Sequence, residues 1–259
     1  MELGLKGRVA MVTGASKGIG RAVALELAAE ACDLALGARG VEDLNKVREQ
    51  VASQGVRCIA RQLDITNPAD IEALVSEIER NFGRLDILVN NAGGARPGTF
   101  ASLKDEDFHY DYDLKVMGQV RCTRAALHLL EKSPAPRVIN INAIVGRVVS
   151  PGLFATATHR AACYALNKAL AQELGPKRIL VNSVNIGSVL TPQWENIRNR
   201  LAPGKSMEDF TGDRAKGMPL GRFGAPDEVS GLVAFLASDR ASFISGASID
   251  VGGASGAHV

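Results

Sequence analysis

The chain has 259 residues, of which 46% are hydrophobic, and this is enough for one large α/β domain or two small ones with a substantial core. Its 30 Lys and Arg residues against 28 Asp and Glu residues give a formal net charge of +2. Neither sign forms a long run, so the charge pattern excludes an electrostatic footprint for nucleic acid or for an anionic membrane. The expected partner is a small molecule.

The cysteines and the N-terminus indicate a cellular location. Cys32, Cys58, Cys122 and Cys163 are far apart and include no C-x-x-C pair, which indicates structural thiols in a reducing compartment and neither a zinc site nor a disulfide framework. The N-terminal residues include Glu2 and lead directly into an apolar strand, without a signal-peptide pattern. No stretch reaches the roughly 18 apolar residues of a membrane span. We expect a cytoplasmic protein without a metal ion.

Short β-rich runs alternate with helical patterns along the chain. RVAMVTG precedes RAVALELAAE, LALGA precedes VEDLNKVREQVASQG, RCIARQLD precedes PADIEALVSEIERNFG, and DILVNN, RVININ and ILVNSV continue the series. Strands that are apolar throughout are expected where helices cover both faces of a parallel sheet. Because no linker or repeat marks a boundary, the pattern predicts one doubly wound α/β domain over residues 1–259.

The first strand is followed by the glycine-rich loop TGASKGIG, which contains Gly14, Gly18 and Gly20. Glycines allow a tight turn, and the helix that follows presents its positive end to a phosphate group. The loop therefore predicts a dinucleotide site. Its spacing is G-x-x-x-G-x-G rather than G-x-G-x-x-G, and the alternative is a tight strand-to-helix connection without a ligand.

Arg39 stands at the end of the second strand, where a site that prefers NAD(H) usually has a carboxylate for the ribose 2′-hydroxyl. Together with Lys17 of the glycine-rich loop, Arg39 provides two cations for a 2′-phosphate. The sequence therefore predicts NADP(H) in preference to NAD(H). The alternative is an ordinary solvated arginine at a strand end.

Two later segments bear on the substrate. Residues 191–217 follow the strand ILVNSV and read as short helices, which suggests a lid over the ligand, with Trp194, Ile197 and Met207 covering an apolar group. A hydrophobic subunit contact is the alternative for these three side chains. Tyr164 and Lys168 are four residues apart on a predicted helix, a spacing that suits proton transfer.

Taken together, the motifs resemble those of the short-chain dehydrogenase/reductases along nearly the whole chain. They are TGASKGIG, Asp64 in QLDIT, NNAG at 90–93, RVININ, ILVNSV followed by Thr191, and FISGASIDVGG. The resemblance implies a Rossmann-type, seven-stranded parallel sheet and a homotetramer, or a homodimer. It implies that Asp64 and Ile65 contact the adenine, that Asn90, Ala92 and Gly93 border the ribose, that Gly187, Val189 and Thr191 hold the nicotinamide, and that Gly14, Ser16, Lys17, Gly18, Ile19 and Gly20 cradle the phosphates.

The family's catalytic tetrad of Asn, Ser, Tyr and Lys has no counterpart in this chain. Counted from the motifs, the four positions are Lys115, Ala143, Thr156 and Arg160. Arg160 remains able to bind the ribose and to stabilise a developing alkoxide, and Thr156 is able to orient a water molecule. We take Thr156 and Arg160 as the candidate catalytic residues, with Arg160 also contacting the cofactor.

Three other polar residues on the same predicted helix are weaker candidates. Tyr164 and Lys168 lie eight residues beyond Thr156 and Arg160, which corresponds to roughly 12 Å of rise and about 80° of rotation. We therefore expect Tyr164 to pack in a helix interface and Lys168 to be a solvated or an interface cation. His159 precedes Arg160, so it points about 100° away from it and is expected to be a surface or packing residue.

The sequence thus predicts an NADP(H)-dependent oxidoreductase that acts on a carbonyl or hydroxyl group of a small apolar or acyl substrate, with a non-standard proton relay. This prediction rests on the motifs for cofactor binding, which are nearly intact. The alternative is a catalytically inactive dinucleotide-binding sensor or partner subunit, which the four substitutions favour, because a fold does not guarantee its usual chemistry.

Overall fold

The computed structural model describes residues 2–255; residue 1 and residues 256–259, which the predicted domain also includes, lie outside the described residues. One parallel sheet has the strand order β3-β2-β1-β4-β5-β6-β7. Its strands are β1 (Val9–Thr13), β2 (Asp33–Ala38), β3 (Cys58–Gln62), β4 (Ile87–Asn90), β5 (Arg137–Ala143), β6 (Leu180–Ile186) and β7 (Ser248–Val251). The predicted Rossmann-type, seven-stranded doubly wound domain is confirmed.

Helices connect the strands and cover both faces of the sheet. They are α1 (Gly18–Ala29), α2 (Val41–Ala52), α3 (Pro68–Phe82), α4 (Asp105–Tyr112), α5 (Gly118–Leu130), α6 (Phe154–Leu174), α7 (Gln193–Leu201), α8 (Met207–Ala215) and α9 (Asp227–Ala237). A single turn of π-helix, Asp113–Met117, joins α4 to α5. From residue 2 to residue 255, every helix is too short or too polar to cross a membrane.

The alternation of side chains along each strand divides the core into two layers. Ala10 and Val12 of β1 pack with apolar residues of α1, α2 and α9 on one face. Val9 and Met11 pack with residues of α3, α5 and α6 on the other face. Because both faces are covered, the central strands are buried at every position, as their continuous apolar runs predict.

The strand order places the candidate site. The chain reverses its direction across the sheet between β1 and β4, which are hydrogen-bonded neighbours. In open parallel sheets a ligand crevice forms at such a reversal, outside the carboxyl ends of the strands. The glycine-rich loop follows β1 and the NNAG segment begins at the end of β4, so both motifs lie at the carboxyl ends of these neighbouring strands.

Candidate active site

The glycine-rich loop is held in a shape that side chains would prevent. Gly14 and Gly18 have positive φ values of 68° and 54°. A methyl group on Gly20 would lie 2.2 Å from the carbonyl oxygen of Gly14. Asn91 Nδ2 donates to the carbonyl oxygens of Thr13 and Gly14, at 2.9 and 3.2 Å. The loop is thus fixed against the NNAG segment and leads directly into the N-terminus of α1, a suitable place for an anion. Ser16 lies in the same turn, and Ile19 is buried in the first turn of α1.

The two predicted phosphate-binding cations both lie at this end of the sheet, and both have partners. Arg39 is exposed at the end of β2, and its Nη1 donates to Tyr110 Oη at 3.3 Å. Lys17 Nζ forms an ion pair with Asp43 at 2.8 Å, and this hydrogen bond lowers the pKa of the Asp43 carboxyl. Because Asp43 neutralises part of the charge of Lys17, Arg39 is the stronger candidate for a 2′-phosphate.

The residues after β3 form a compact turn. Asp64 Oδ1 accepts hydrogen bonds from the backbone N–H and the hydroxyl of Thr66, at 2.9 and 2.8 Å. The Asp64 N–H donates to Asp70 Oδ2 at 3.0 Å, and Ile65 is buried beside Gly118. These bonds fix the backbone at the point where the family places the adenine.

Within the NNAG segment, Asn90, Ala92 and Gly93 have different surroundings. The Asn90 amide is buried, and its Nδ2 donates to Asn140 Oδ1 at 2.9 Å. Its side chain therefore belongs to the interior and does not face the crevice. The Ala92 N–H donates to Thr13 Oγ1 at 3.0 Å, and a methyl group on Gly93 would lie 3.2 Å from Arg160 Nη2. A glycine at position 93 therefore leaves room for the Arg160 guanidinium, which a larger side chain would crowd.

Thr156 and Arg160 lie together on the first turns of α6, beside the end of β5. Arg160 is 8% exposed, and its Nη1 donates to the carbonyl oxygen of Ile141 at 2.8 Å. The Arg160 Nε has no hydrogen-bond partner among the described residues. Thr156 Oγ1 accepts a hydrogen bond from the backbone N–H of Arg96 at 3.1 Å. The Thr156 hydroxyl keeps its own proton for a further bond. Ala143, the last residue of β5, contributes no polar side chain.

Tyr164 is nearer to this site than its position on the helix suggests. Its hydroxyl donates to the carbonyl oxygen of Ala143 at 3.1 Å, and its ring packs against the short 3-10 helix Ile144–Gly146 that follows β5. The hydroxyl reaches Ala143 because a tyrosine side chain spans more than one helical turn. The Arg147 guanidinium stacks 4.3 Å from its ring. Burial raises the pKa of Tyr164 to about 12, which makes it a poor proton donor. Lys168 is exposed near Gly246, as predicted for a solvated cation.

His159 and Lys115 are deeply buried together, so of the two positions expected for His159 the structure has the packing one. His159 is 3% exposed, and its Nδ1 lies 2.9 Å from Asp111 Oδ2. Lys115, at the family's asparagine position, forms an ion pair with Asp111 Oδ1. Asp111 is not among the residues that the sequence singles out. The available signal is its spacing of four residues from Lys115, which places both on one helical face.

The segment after β6 lies over the glycine-rich loop. A methyl group on Gly18 would come within 3.2 Å of Thr191 Cγ2. Gly187 approaches Gly252 so closely that a methyl group would lie 2.6 Å from the Gly252 Cα atom. Val189 is buried and pairs with Gly224. Of the three residues that the family resemblance assigns to the nicotinamide, Thr191 therefore lies next to the phosphate loop, and Gly187 and Val189 are held by Gly252 and Gly224.

Residues 191–217, the predicted lid, contribute to a small aromatic cluster around Trp194. Trp194 Nε1 donates to the carbonyl oxygen of Val189 at 2.8 Å. Its ring lies 4.8 Å from that of Phe223 and 6.3 Å from that of Phe210, between ring centroids. Ile197 and Met207 are half-buried. Trp194 therefore anchors α7 and α8 to the body of the domain.

Comparisons with known proteins agree with this geometry. A family model described as enoyl-(acyl carrier protein) reductase matches residues 14–255. Oxidoreductase UcpA of Salmonella typhimurium is 35% identical over 243 residues, which is 93% of this chain and 92% of that protein. The 3-oxoacyl-(acyl-carrier-protein) reductase FabG of Staphylococcus aureus is 32% identical over 245 residues, 94% of this chain and 96% of that protein.

Solved structures extend the likeness to three dimensions. The NADPH-bound short chain oxidoreductase from Pseudomonas aeruginosa PAO1, described as containing an atypical catalytic center, is 32% identical and has a TM-score of 0.90. The match covers 97% of this chain and 98% of that one. With the family model and the curated relatives, this shows that the chain belongs to the short-chain dehydrogenase/reductase family and is an oxidoreductase of that family.

Proposed function

We propose that this protein is an NADP(H)-dependent oxidoreductase that acts on a carbonyl or hydroxyl group of a small apolar or acyl substrate, and that its proton relay works without a tyrosine. The observation that carries the proposal is the joint placement of the glycine cradle and Arg160. The cradle admits no side chain at Gly20, and the Arg160 guanidinium stands beside Gly93 across the same crevice.

The residues present fit a dinucleotide phosphate. The backbone of residues 14–20 and the N-terminus of α1 would hold the pyrophosphate. Arg39 would hold the 2′-phosphate, and the turn at Asp64 and Ile65 would border the adenine. The unpartnered, buried Nε of Arg160 also suits an oxygen acceptor supplied by a ligand. The NADPH bound to the Pseudomonas aeruginosa relative supports this choice of cofactor.

At the nicotinamide end, Gly187, Val189 and Thr191 would position the ring. A nicotinamide cofactor, when bound, supplies or accepts a hydride. Arg160 would bind the ribose hydroxyls and place positive charge near the substrate oxygen, where negative charge develops during reduction. Thr156 would orient the substrate oxygen or a water through its hydroxyl proton. Arg160 itself retains its proton at neutral pH, so it does not act as the acid.

An exposed apolar side chain beside these residues supports an apolar substrate. Leu190 directly precedes Thr191 and is 46% exposed. Because Trp194 belongs to the aromatic cluster, we propose that the segment 191–217 covers the substrate through neighbouring residues, with Trp194 as its anchor.

The proposal includes a cytoplasmic homotetramer, with a homodimer as the alternative. The outward face of α6 carries the small residues Ala161, Ala165 and Ala169, all of which are exposed in the single chain. Small side chains allow two helices to approach closely, which suits packing of α6 against a second copy.

The test is a screen for oxidation of NADPH, followed at the nicotinamide absorbance, with ketones, aldehydes, quinones and 3-oxoacyl thioesters. We expect turnover with at least one class, and slower turnover with NADH. Tight binding of NADPH without turnover on any compound, together with no oxidation of alcohols by NADP, would leave the inactive dinucleotide-binding module as the correct description.

Arg39 is expected to determine the choice between the two cofactors. Replacing Arg39 with alanine removes a charged donor to the 2′-phosphate, a contact of about 1.5–3 kcal/mol, so the Kd for NADPH should rise roughly 10- to 100-fold. The Kd for NADH should change little. Fluorescence titration of both cofactors measures the two constants. Arg61→Ala, on the exposed edge strand β3, is the matched control and should leave both constants unchanged. Equal losses for NADPH and NADH in the Arg39 variant would show that Arg39 does not read the 2′-phosphate.

Tyr164 is expected to be dispensable for catalysis. The variant Tyr164→Phe loses one neutral hydrogen bond to the Ala143 carbonyl, which is worth about 1 kcal/mol of folding stability. We expect turnover to remain within about threefold of the wild type, since general acid catalysis by a side chain contributes 100-fold or more. Thermal unfolding and steady-state kinetics give the two values. A loss of about 100-fold in kcat with unchanged stability would assign the proton transfer to Tyr164.

A further inference from the structure

Three titratable side chains lie buried in contact with one another directly behind the candidate site. Lys115 is on the π-turn, Asp111 is on α4 and His159 is on α6, and their side chains are between 0% and 3% exposed. The Asp111 carboxylate bridges the other two, with Oδ1 on Lys115 Nζ and Oδ2 at 2.9 Å from His159 Nδ1. We call this group the buried triad.

Stability alone is a weak explanation for the buried triad. Removing charged groups from water costs free energy, and replacing a buried ion pair with apolar residues of similar volume is often neutral or stabilising. The His159 Nε2 atom, moreover, has no hydrogen-bond partner among the described residues, and the ring packs 4.2 Å from Phe108 between centroids. A buried cluster that leaves a polar atom unsatisfied suggests a role beyond packing.

The position of the triad connects it to the site. His159 lies between the two candidate catalytic residues on α6, three residues after Thr156 and one before Arg160. The charged and titratable groups that face Lys115 are Asp111 from α4 and Arg160 and Cys163 from α6. The Cys163 thiol donates to the Lys115 carbonyl oxygen at 3.6 Å. Lys115 is therefore within electrostatic range of the guanidinium that the proposed function places at the nicotinamide.

The proposed relay lacks a proton source, because Arg160 keeps its proton and a threonine hydroxyl is a very weak acid. We propose that Lys115 is the proton donor of this relay and that Asp111 and His159 are positioning residues that hold its ammonium group. This inference rests on the proposed function. In the direction of reduction, hydride adds to the carbonyl carbon, and a proton leaves Lys115 Nζ and reaches the substrate oxygen through an intervening water, because the Nζ is buried and its hydrogen-bond partner is Asp111. That water gives a proton to the substrate oxygen as it receives one from Lys115, and Lys115 regains its proton from solvent along the same water.

The ionisation of Lys115 agrees with this role. Burial, and then the positive charge of Arg160, lower the pKa of Lys115 to about 8, while Asp111 acts in the opposite direction. A lysine that exchanges its proton near neutral pH is able to act as an acid where an ordinary lysine, with a pKa of about 10.4, is not. Since reduction needs the protonated form, kcat for reduction should fall as the pH rises through about 8.

The first experiment needs no substrate. Protein labelled with ¹³C at the lysine Cε is titrated by NMR from pH 6 to about 11, a range that includes the ordinary lysine value. We expect one resonance, absent in Lys115→Arg and in Lys115→Met, to titrate near pH 8 while the others titrate near about pH 10. In Asp111→Asn the same resonance should titrate at lower pH, because a negative charge is lost. His159→Gln keeps a donor to Asp111 and should leave it in place. A Lys115 resonance that titrates with the ordinary lysines would overturn the proposal.

The second experiment uses the carbonyl compound that the NADPH screen identifies. Lys115→Arg keeps the positive charge and the partner for Asp111 but cannot release a proton, so kcat for reduction should fall about 100-fold and the inflection of the pH profile near 8 should disappear. Arginine is larger than lysine, so packing alone can lower kcat in this buried variant, and the pH profile is the readout that decides. An inflection near 8 that persists in Lys115→Arg would reject Lys115 as the donor, whatever the value of kcat. Lys177→Arg, an exposed ion-paired lysine, is the control and should match the wild type. If the screen finds no substrate, the proposed function fails, and the NMR titration still decides the state of Lys115.

Discussion

Replacing Gly20 with alanine is expected to weaken NADPH binding by about 100-fold, the equivalent of roughly 3 kcal/mol of overpacking. The added methyl group would lie 2.2 Å from the Gly14 carbonyl oxygen and 2.5 Å from Asn91 Nδ2. Because the Gly14 carbonyl oxygen belongs to the backbone, it can move away from the methyl group only if the loop moves with it. The hydrogen bonds from Asn91 that fix the loop would then be lost. Isothermal titration with NADPH measures the effect.

The control for this variant is Gly231→Ala. Gly231 lies inside α9, and a methyl group there would meet no atom within 4 Å. Alanine is favoured over glycine in a helix interior by about 1 kcal/mol, so this variant should be slightly more stable and should bind NADPH as the wild type does. Wild-type affinity in Gly20→Ala would show that the cofactor does not depend on the shape of this loop.

The second large effect is expected at Arg160. Replacing Arg160 with methionine removes the positive charge that we propose stabilises the developing negative charge on the substrate oxygen, and losing one such stabilising group typically costs 100- to 1,000-fold in kcat. We expect a loss of about that size with the carbonyl substrate found by the NADPH screen. The methionine side chain fills much of the same buried volume, so packing beside Gly93 and Ile141 is largely kept.

Two further variants separate the charge of Arg160 from its shape. Arg160→Lys keeps the charge and restores the residue type of the family's tetrad, so it should retain more activity than the methionine variant. Arg124→Met, on the exposed face of α5, removes a charge far from the crevice and should leave kcat unchanged. Equal activity in the wild type and in Arg160→Met would remove Arg160 from the mechanism and leave it a role in packing alone.

The fold was largely predictable because its signals are local and repeated. The apolar runs VAMVT and ILVN are typical of strands covered on both faces, and they lie at the centre of the sheet as β1 and β4. The tight turn of the glycine-rich loop was also predictable, since a crowded backbone turn needs residues without side chains. The Gly20 contact in the structure is the physical reason for that requirement.

The directions of individual side chains were harder to predict. Helical periodicity gives the face from which Tyr164 starts, yet the length of its side chain brings the hydroxyl back to Ala143. Trp194 packs against Phe210 and Phe223, two rings that are distant from it in sequence. The local sequence pattern predicts neither the Tyr164 hydrogen bond nor the ring contacts of Trp194, because both depend on residues that are distant in sequence.

The environment of His159 depends on tertiary contacts in the same way. His159 and its neighbour Arg160 differ by about 100° around the helix axis, so the two side chains point in different directions, as the sequence predicts. The direction of His159 leads to Asp111, a buried carboxylate on a different helix, which converts a packing histidine into a member of a charged cluster. The π-turn that carries Lys115 contains neither proline nor glycine, so the usual sequence signals for a break in a helix are missing there.

The most direct test of the central claim is the transfer of deuterium from NADPH labelled at nicotinamide C4, on either face, to the product of the carbonyl substrate. Mass spectrometry of the purified alcohol measures it. An active oxidoreductase places one deuterium on the former carbonyl carbon with one of the two labelled forms, and Arg160→Met slows that transfer. NADPH that binds tightly but leaves every carbonyl compound unlabelled would contradict an NADP(H)-dependent reductase and would make this chain a binding protein.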